Sequence, residues 1–309
     1  MKLNIISQPE YVSPTAFKVF KRCEFLYYLQ YLTGKRTEFT QTPAMAIGSL
    51  FDALVKANLA KDLGWYNSNK DLSLPELLKN VNKDMLHLLP EAEKIFIFYK
   101  ECGAYQDLIK ENIEALETSE FVTIKKNQFN SGFPIFGKPD CKIKSGILDW
   151  KVNGFGSKSG QSPKQGYIRA YSKGSGYKFH IAHDKYPMPM DEVDLDWATQ
   201  LTVYSWMYQK TECLEFKEIT GAIEQIAIRG DTIKIASFRA KIGVNFQMKL
   251  YEDMNSMWQS ILNGEIIDPV ATKDKCFQFN KKCDFADQCN AFQKAFADND
   301  FNRLMGVNI

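Results

Sequence analysis

The most constraining feature of the sequence is a short apolar run that carries charge on one side. Residues 147–151 read Ile-Leu-Asp-Trp-Lys, which is typical of a buried strand. Side chains alternate between the two faces of a strand, so Asp149 and Lys151 share one face while Leu148 and Trp150 share the other. Buried charges are tolerated when they are paired or bind a metal. The pattern therefore predicts either a metal-binding strand or a strand with one solvated face.

A second carboxylate, Asp140, lies in the preceding predicted strand. Strand patterns cover residues 121–129, 134–143 and 147–152, with Ser-Gly pairs at 131–132 and 145–146 as the turns. Consecutive strands with short turns predict an antiparallel meander. We therefore expect Asp140 to lie close to Asp149 and Lys151.

A predicted helix at residues 197–208 supplies further polar side chains, since its apolar residues recur at helical spacing. Gln200 and Tyr204 are four residues apart, so they share a helix face where an amide and a phenol can contact one ligand. Together with Asp140, Asp149 and Lys151, they resemble the RecB-like branch of the PD-(D/E)xK nuclease superfamily. The pattern of that branch is an Asp, a D/E-x-K strand and a following Q-x-x-x-Y helix.

The resemblance implies an α/β fold of the restriction-endonuclease-like type, with a mixed central sheet flanked by helices. It also implies an enzyme, a metal-dependent DNA exonuclease that hydrolyses phosphodiester bonds in recombination, repair or phage DNA processing. Two other functions stay open. The chain could be an endonuclease subunit of a larger DNA-processing complex, or a non-catalytic nucleic-acid-binding protein with the same fold.

The resemblance implies roles for the site residues as well. Asp140, Asp149 and the main-chain carbonyl of Trp150 would hold Mg²⁺ or Mn²⁺. The family often has a metal-binding histidine in the helix predicted here at residues 44–63, and Asp52 stands at that position. Asp is a suitable ligand for a hard cation, although an Asp on a helix surface is an equal alternative. Lys151 would orient water or stabilise the phosphate oxygens, with Gln200 and Tyr204 as positioning residues.

A basic segment follows the Asp-x-Lys strand. Residues 152–183 contain neither Asp nor Glu, and tyrosines are interleaved with basic residues that we predict to contact DNA: Lys158, Lys164, Arg169, Lys173 and Lys178. Cations next to aromatic rings suit a loop that binds phosphates and stacks on bases. The alternative is a solvated surface insertion.

Four of the seven cysteines form a second pattern, with Cys23 near the N-terminus and Cys276, Cys283 and Cys289 near the C-terminus. Clustered thiols in a reducing compartment indicate a metal more often than disulfides. Four thiolates suit an iron–sulfur cluster or Zn²⁺, and spacing does not separate the two. Iron–sulfur members of the resembling branch have one N-terminal and three C-terminal cysteines, which implies a 4Fe–4S cluster here. Half-buried thiols without a metal are a further alternative.

Composition limits the class of protein. The chain has 309 residues, 45% of them apolar, and a net charge of +2, which fits a globular protein whose nucleic-acid contacts depend on local charge. No apolar run or leader pattern indicates a membrane or secretion, so we expect a cytoplasmic protein, encoded by a cell or a phage. The absence of helicase motifs predicts DNA that is single-stranded or has a free end, with a separate helicase or recombination partner.

The predicted organisation is one nuclease domain over residues 1–309. Its core covers about 118–240 and contains the basic insertion at 152–196. Helices at 14–117 and the segment 242–309 would form a cap around the cysteine cluster. Further predicted helices cover residues 14–32, 74–89, 91–116 and 244–262, and further strands cover 218–229 and 232–239.

Overall fold

The structure, a computed structural model, describes residues 9–35, 41–65, 70–117, 120–128, 131–152, 167–172, 177–180, 189–209, 213–229, 232–265, 271–278 and 281–297. The chain divides into two compact units. The terminal unit comprises Met1–Phe39, Phe121–Phe136 and Lys249–Ile309, and the sheet unit comprises Thr40–Glu120 and Gly137–Met248. Among the residues described, no helix is both long and apolar enough to span a membrane.

The described chain begins with helices, continues with a run of strands, and ends with a mixture of the two. The helices are α1 Pro14–Arg22, α2 Glu24–Tyr27, α3 Pro43–Asp62, α4 Leu74–Leu77, α5 Leu89–Glu101, α6 Ala104–Lys110, α7 Met190–Val193, α8 Leu195–Met207, α9 Val244–Leu262, α10 Lys273–Cys276 and α11 Asn290–Ala297. The strands are β1 Ile113–Leu116, β2 Glu120–Ile124, β3 Phe133–Gly137, β4 Cys141–Ile143, β5 Gly146–Val152, β6 Tyr167–Ser172, β7 Tyr177–His180, β8 Ile219–Arg229, β9 Thr232–Ile242, β10 Phe277–Gln278 and β11 Lys281–Lys282.

The sheet unit contains a seven-stranded sheet in the order β1-β4-β5-β8-β9-β6-β7. Strands β5 and β8 run parallel, whereas the other neighbouring pairs run antiparallel. The parallel pair places β5, which carries Asp149 and Lys151, in the interior of the sheet. The prediction of a mixed sheet flanked by helices is confirmed.

Each face of this sheet is covered by helices, and strand alternation decides which side chains meet them. Leu148, Trp150 and Ala222 pack with residues of α3, α5 and α6 in one apolar cluster. Ile147 and Ile223 pack with residues of α8 in another. Burying a side chain of this size contributes about 1.5–3 kcal/mol. The sheet therefore holds α3 on one side of β5 and α8 on the other.

The predicted three-stranded meander is wrong, because the segment 134–143 is not one strand. It breaks at residues 138–140, so that β3 pairs with β2 in a separate two-stranded sheet while β4 pairs with β5. Pro139 has no N–H to donate to a sheet ladder, which accounts for the break. Asp140 is thereby released from the ladder at the start of β4. The antiparallel pairing of β4 with β5 is as predicted, with Cys141 opposite Leu148.

Several helix predictions also need correction. The segment 91–116 is not one helix: α5 ends before Gly103, which has φ 83°, and α6 is followed by strand β1. Glycine adopts this left-handed conformation without steric cost. Helix α4 covers four residues of the predicted 74–89, and 3-10 turns at 78–80 and 83–88 follow it. The predicted helix 14–32 breaks at Cys23, whose backbone is extended.

Helices α3, α8 and α9 and strands β8 and β9 confirm the corresponding predictions to within a few residues. Helix α3 begins after Thr42, whose hydroxyl accepts a hydrogen bond from Met45 N, with Pro43 at its first position. Helix α8 begins after Asp194, whose carboxylate caps Asp196 N and Trp197 N at 3.0 Å. These caps set the start of the two helices that supply side chains to the site described next.

Candidate active site

Asp149 and Lys151 form an ion pair on the face of β5 that packs against α8. The Gln200 amide joins them: its Nε2 donates to Asp149 Oδ1 at 3.0 Å, and its Oε1 accepts from Lys151 Nζ at 3.0 Å. Gln200 Nε2 also donates to Tyr204 Oη at 3.1 Å. The structure therefore brings together four of the side chains predicted from the sequence.

Tyr204 reaches this position because Gly137 has no side chain. A Cβ at Gly137 would lie 2.6 Å from Tyr204 Cε1 and 2.9 Å from Tyr204 Cδ1, which is closer than real contacts come. The glycine thus leaves room for the phenol ring. Any larger residue would displace Tyr204 and, through it, the Gln200 amide.

Asp140 is fastened beside this pair by the main chain of β5. Its Oδ2 accepts a hydrogen bond from Trp150 N at 3.2 Å, and its Oδ1 accepts from Lys56 Nζ at 2.9 Å. Asp140 and Asp149 are consequently held by adjacent segments of one β4–β5 hairpin. This is the proximity that the sequence predicted, although the strand prediction around Asp140 was wrong.

Lys56 was not among the predicted site residues. It lies on α3 with 2% of its side chain exposed, and its Nζ lies 2.5 Å from Asp52 Oδ2 and 2.5 Å from Glu117 Oε2, in addition to its contact with Asp140. Asp52 and Lys56 are one helical turn apart, which brings them to the same face of α3. The sequence did contain an indication of this contact, because Lys56 is a charged residue within the apolar run around Asp52. We call Asp52, Glu117, Asp140 and Asp149 the acid cluster.

Glu117 joins the cluster through an unusual backbone conformation. Its φ is 52°, and its N–H donates to Asp140 O at 3.2 Å. For a residue other than glycine, the left-handed conformation costs about 1–2 kcal/mol. Its carboxylate contacts both Lys56 and Lys138. Such strain is typical of positions where a side chain is held for a function.

The charges of the site determine which groups hold protons. Burial raises the pKa of Asp149 to about 7, against the attraction of Lys151. Burial also acts on Asp140, but Lys56 and Lys151 outweigh it and lower the pKa of that carboxyl. Burial would lower the pKa of Lys151, yet Asp149 and Asp140 raise it. Lys151 is therefore a fixed positive charge rather than a base.

A buried polar contact supports β5 from its opposite face. Tyr99 Oη donates to Glu224 Oε2, and Trp150 Nε1 donates to Tyr99 Oη at 3.3 Å. Glu224 lies on β8 in register with Trp150, and 3% of it is exposed. The sequence pattern did not predict this contact, because it joins three elements far apart in the chain. It fixes the ring of the residue between Asp149 and Lys151.

The acid cluster has the oxygen donors that Mg²⁺ and Mn²⁺ prefer. Asp52 Oδ1 is buried and has no hydrogen-bond partner among the described residues, so it is an acceptor available to a cation. Within the described ranges, no set of three or more His, Cys, Asp or Glu side chains is arranged to hold a metal ion as it stands. The carboxylates contact Lys56 and Lys151 instead. The donor chemistry fits a divalent cation, which would have to reorganise these contacts.

The terminal unit brings the four predicted cysteines to one pocket. Cys23, Cys276, Cys283 and Cys289 line it together with apolar side chains, among them Phe25, Leu26, Leu29, Phe285 and Phe292. The β10–β11 hairpin pairs Phe277 with Lys282, and Cys283 N donates to Cys276 O at 2.8 Å. Burial raises the pKa of Cys276 and of Cys283. All four are free thiols, and Cys102 and Cys141 are buried elsewhere.

Most of the predicted DNA-contacting residues lie outside the part of the chain that the structure describes. Lys158, Lys164 and Lys173 are outside the described residues. Arg169 lies on β6 and Lys178 on β7, where the backbone alone is described. The composition indicated a loop here, but residues 167–172 and 177–180 are strands that extend the sheet beyond β9.

One comparison with known proteins, a family model, matches the part of the chain that contains the acid cluster. Residues 11–162 match the family model described as the PD-(D/E)XK nuclease superfamily. No curated protein matches the chain. Among solved structures, one from Eubacterium rectale, named "Putative exonuclease", is 17% identical, with 91% of this chain and 93% of that chain covered and a TM-score of 0.47. The crystal structure of SSO0001 is 15% identical, covering 79% and 86%, with a TM-score of 0.25.

The family match covers Asp52, Asp140, Asp149 and Lys151, whereas Gln200, Tyr204 and the three C-terminal cysteines lie beyond it. The two structural similarities are too distant to bear on function. Residues 11–162 thus carry the sequence signature of a PD-(D/E)XK nuclease superfamily domain.

Proposed function

We propose that the protein is a metal-dependent deoxyribonuclease of the RecB-like branch that hydrolyses phosphodiester bonds, acting as an exonuclease. The observation that carries this proposal is the contact network of the site. Asp149, Lys151, Gln200 and Tyr204 are joined by direct contacts, and Asp140 is held beside them by the Trp150 N–H. This arrangement combines carboxylates, a fixed cation and side chains that orient both.

Asp140, Asp149, the main-chain carbonyl of Trp150 and Asp52 would hold Mg²⁺ or Mn²⁺. Support comes from the donor chemistry of these groups and from the unpartnered Asp52 Oδ1. When bound, such a cation supplies an activated water and offsets negative charge on the phosphate. The carboxylates must be ionised to serve as its ligands.

Lys151 provides the second electrostatic contribution. Its side chain is 29% exposed, whereas that of Asp149 is 3% exposed, so Lys151 is the more accessible member of the pair. Its raised pKa keeps it protonated. A fixed donor aimed at the phosphate oxygens stabilises the charge that develops on them during hydrolysis. Gln200 and Tyr204 orient Lys151 and the substrate backbone.

The basic segment would contact the DNA. Lys158, Lys164, Arg169, Lys173 and Lys178 occur in a stretch without acidic residues, directly after the strand that carries Lys151. Phosphate contacts of this kind give affinity without sequence preference. An exonuclease further requires a strand with a free end, and a helicase or recombination partner would supply it in a cytoplasmic setting of repair, recombination or phage DNA processing.

Cys23, Cys276, Cys283 and Cys289 would hold a 4Fe–4S cluster with a structural role. The common pocket and its apolar lining support this assignment, since ligated thiols are deprotonated and an apolar pocket does not stabilise them unless a metal binds. Structural Zn²⁺ is the alternative. Iron and acid-labile sulfide near four per chain in anaerobically purified protein would support the cluster, and zinc without iron would overturn it.

The nuclease proposal is tested with end-labelled linear and closed circular DNA, each single- and double-stranded, in Mg²⁺, in Mn²⁺ or with a chelator. We expect linear DNA to be degraded in the presence of either metal, with no reaction in chelator and closed circles left intact. Cleavage of circles would identify an endonuclease instead. Binding without hydrolysis in both metals would identify a non-catalytic nucleic-acid-binding protein.

A further inference from the structure

The ammonium of Lys56 lies where three segments of the sheet unit converge. Its ligands are Asp52 from α3, Glu117 from the turn after β1 and Asp140 from the start of β4, at 2.5, 2.5 and 2.9 Å. With 2% of its side chain exposed, Lys56 is one of the most deeply buried charged residues described. Burying a lysine is unfavourable unless its charge is compensated.

This environment has the features of a cation-binding position. Three carboxylate oxygens from separate segments contact one ammonium, and carboxylate oxygens are the donors that a hard metal ion prefers. Glu117, which supplies one of these oxygens, has a left-handed backbone conformation. The fold therefore brings three carboxylates together at this point, and the ammonium of Lys56 occupies the position between them.

The charges of the site favour one metal ion rather than two. The four carboxylates of the acid cluster contact three ammonium groups, those of Lys56, Lys138 and Lys151. When all four carboxyls are ionised, as metal ligation requires, the net formal charge of these seven groups is −1. One divalent cation would change this charge to +1, which a single phosphodiester group neutralises. A second divalent cation would leave the site with a charge of +3 before the substrate binds.

We propose that Lys56 takes the place of a second divalent cation, so that the site works with a single Mg²⁺ or Mn²⁺ on the Asp140 and Asp149 side. The inference rests on the proposed function. Asp52 would be shared between the two positions, since its Oδ2 contacts Lys56 while its buried Oδ1 has no hydrogen-bond partner among the described residues. Lys56 is thus a positioning residue that sets the number of metal ions.

The test is to count bound Mn²⁺ per chain by electron paramagnetic resonance of the free ion, on the full chain without DNA. We expect one ion on the wild type. Lys56→Met removes the ammonium that contacts three carboxylates, so the variant should bind two ions, and Mn²⁺ should raise its melting temperature more than that of the wild type. Lys56→Arg keeps the positive charge and should bind one.

Lys79→Met is the matched control. Lys79 is exposed and contacts Glu76 at 2.6 Å, so its removal frees one carboxylate on the surface and leaves no group of carboxylates without a cation. This variant should bind one ion. A Lys56→Met chain that folds only with Mn²⁺ would support the proposal, because the ion would then replace the ammonium. A chain that stays unfolded in saturating Mn²⁺ would overturn it.

Two ions on the wild type, or one on folded Lys56→Met, would also overturn the inference while leaving the nuclease proposal intact. No ion on the wild type would overturn both. The count on the wild type requires no substitution, so two ions there would overturn the inference even where a variant is unstable.

Discussion

The two proposed metal sites are built differently: the acid cluster in the sheet unit, and in the terminal unit the thiol pocket lined by Cys23, Cys276, Cys283 and Cys289. The acid cluster is built from long elements, α3, β5 and α8, and its carboxylates are already compensated by Lys56 and Lys151. The thiol pocket is built from short ones, since α10 has four residues and β10 and β11 have two each.

This difference concerns the coupling of metal binding to folding. A carboxylate site that supplies its own cations can fold before a metal arrives, and the metal then adds function. Thiols in an apolar pocket that bind no metal hold the chain together weakly, so the binding free energy of a cluster would become folding free energy. We therefore expect loss of the divalent cation from the acid cluster to remove activity, and loss of the iron–sulfur cluster from the thiol pocket to unfold that part of the chain.

The largest expected effect is the loss of hydrolysis on removal of Lys151. Lys151→Ala should lower the rate of Mg²⁺-dependent DNA hydrolysis by about 10³-fold, because removing one fixed donor to a developing charge costs 10²–10³-fold and Asp149 also loses its partner. The matched control is Lys142→Ala on β4, whose ammonium contacts Glu114 at 2.6 Å. Equal rates for the two variants would contradict the assignment.

The thiol pocket should respond in stability and metal content. Cys283→Ser removes one of the four pocket thiols and should abolish most of the bound iron and lower the melting temperature, which is measured alongside iron and sulfide content. Cys213→Ser, outside the pocket, should change neither. A Cys283→Ser protein with full iron content would show that the pocket is not the cluster site.

The buried hydroxyl of Tyr99 on α5 should contribute more to stability than the hydroxyl of Tyr105 on the neighbouring helix α6. Tyr99→Phe removes the hydroxyl shared by Glu224 and Trp150, and should lower the free energy of unfolding by about 1–3 kcal/mol. Tyr105→Phe removes a hydroxyl that donates to the exposed Asp62 at 2.8 Å, and should cost less, about 0.5–1 kcal/mol. Denaturant unfolding distinguishes them, and an equal loss would argue against the buried contact.

Metal binding at the acid cluster should depend on pH. The pKa of Asp149 is about 7, raised chiefly by burial, and burial also raises the pKa of Asp52. Both carboxyls must lose their protons to ligate a cation, so Mn²⁺ affinity should fall by at least about tenfold for each unit of pH below 7. Calorimetric titration at several pH values measures this dependence. Affinity that is constant across the acidic range would contradict it.

Local patterns predicted the strand and helix that carry Asp149, Lys151, Gln200 and Tyr204, because alternation and helical spacing are properties of short segments. The sequence predicted that Asp140 lies close to Asp149, and it does, but Asp140 does not lie within a strand of a meander as expected. Pro139 ends the sheet ladder before it, so its carboxylate turns toward the Trp150 N–H rather than standing in a strand.

Lys56 and Glu117 were missed because their meeting depends on sheet pairing. Leu116 pairs with Cys141 in the β1–β4 ladder, which brings Glu117 beside Asp140. The helical spacing through residue 116 hid strand β1, and with it the register that makes this contact. Non-local pairing of this kind is decided by tertiary packing, which a single segment does not record.

The central claim is tested most directly by Asp149→Ala, assayed for nucleotide release from end-labelled linear single-stranded DNA in Mg²⁺. The wild type should release nucleotides in Mg²⁺ and none in chelator. Asp149→Ala should release none in either, with a circular dichroism spectrum like that of the wild type. Undiminished release by the folded variant would contradict the assignment of this carboxylate, and with it the proposed site.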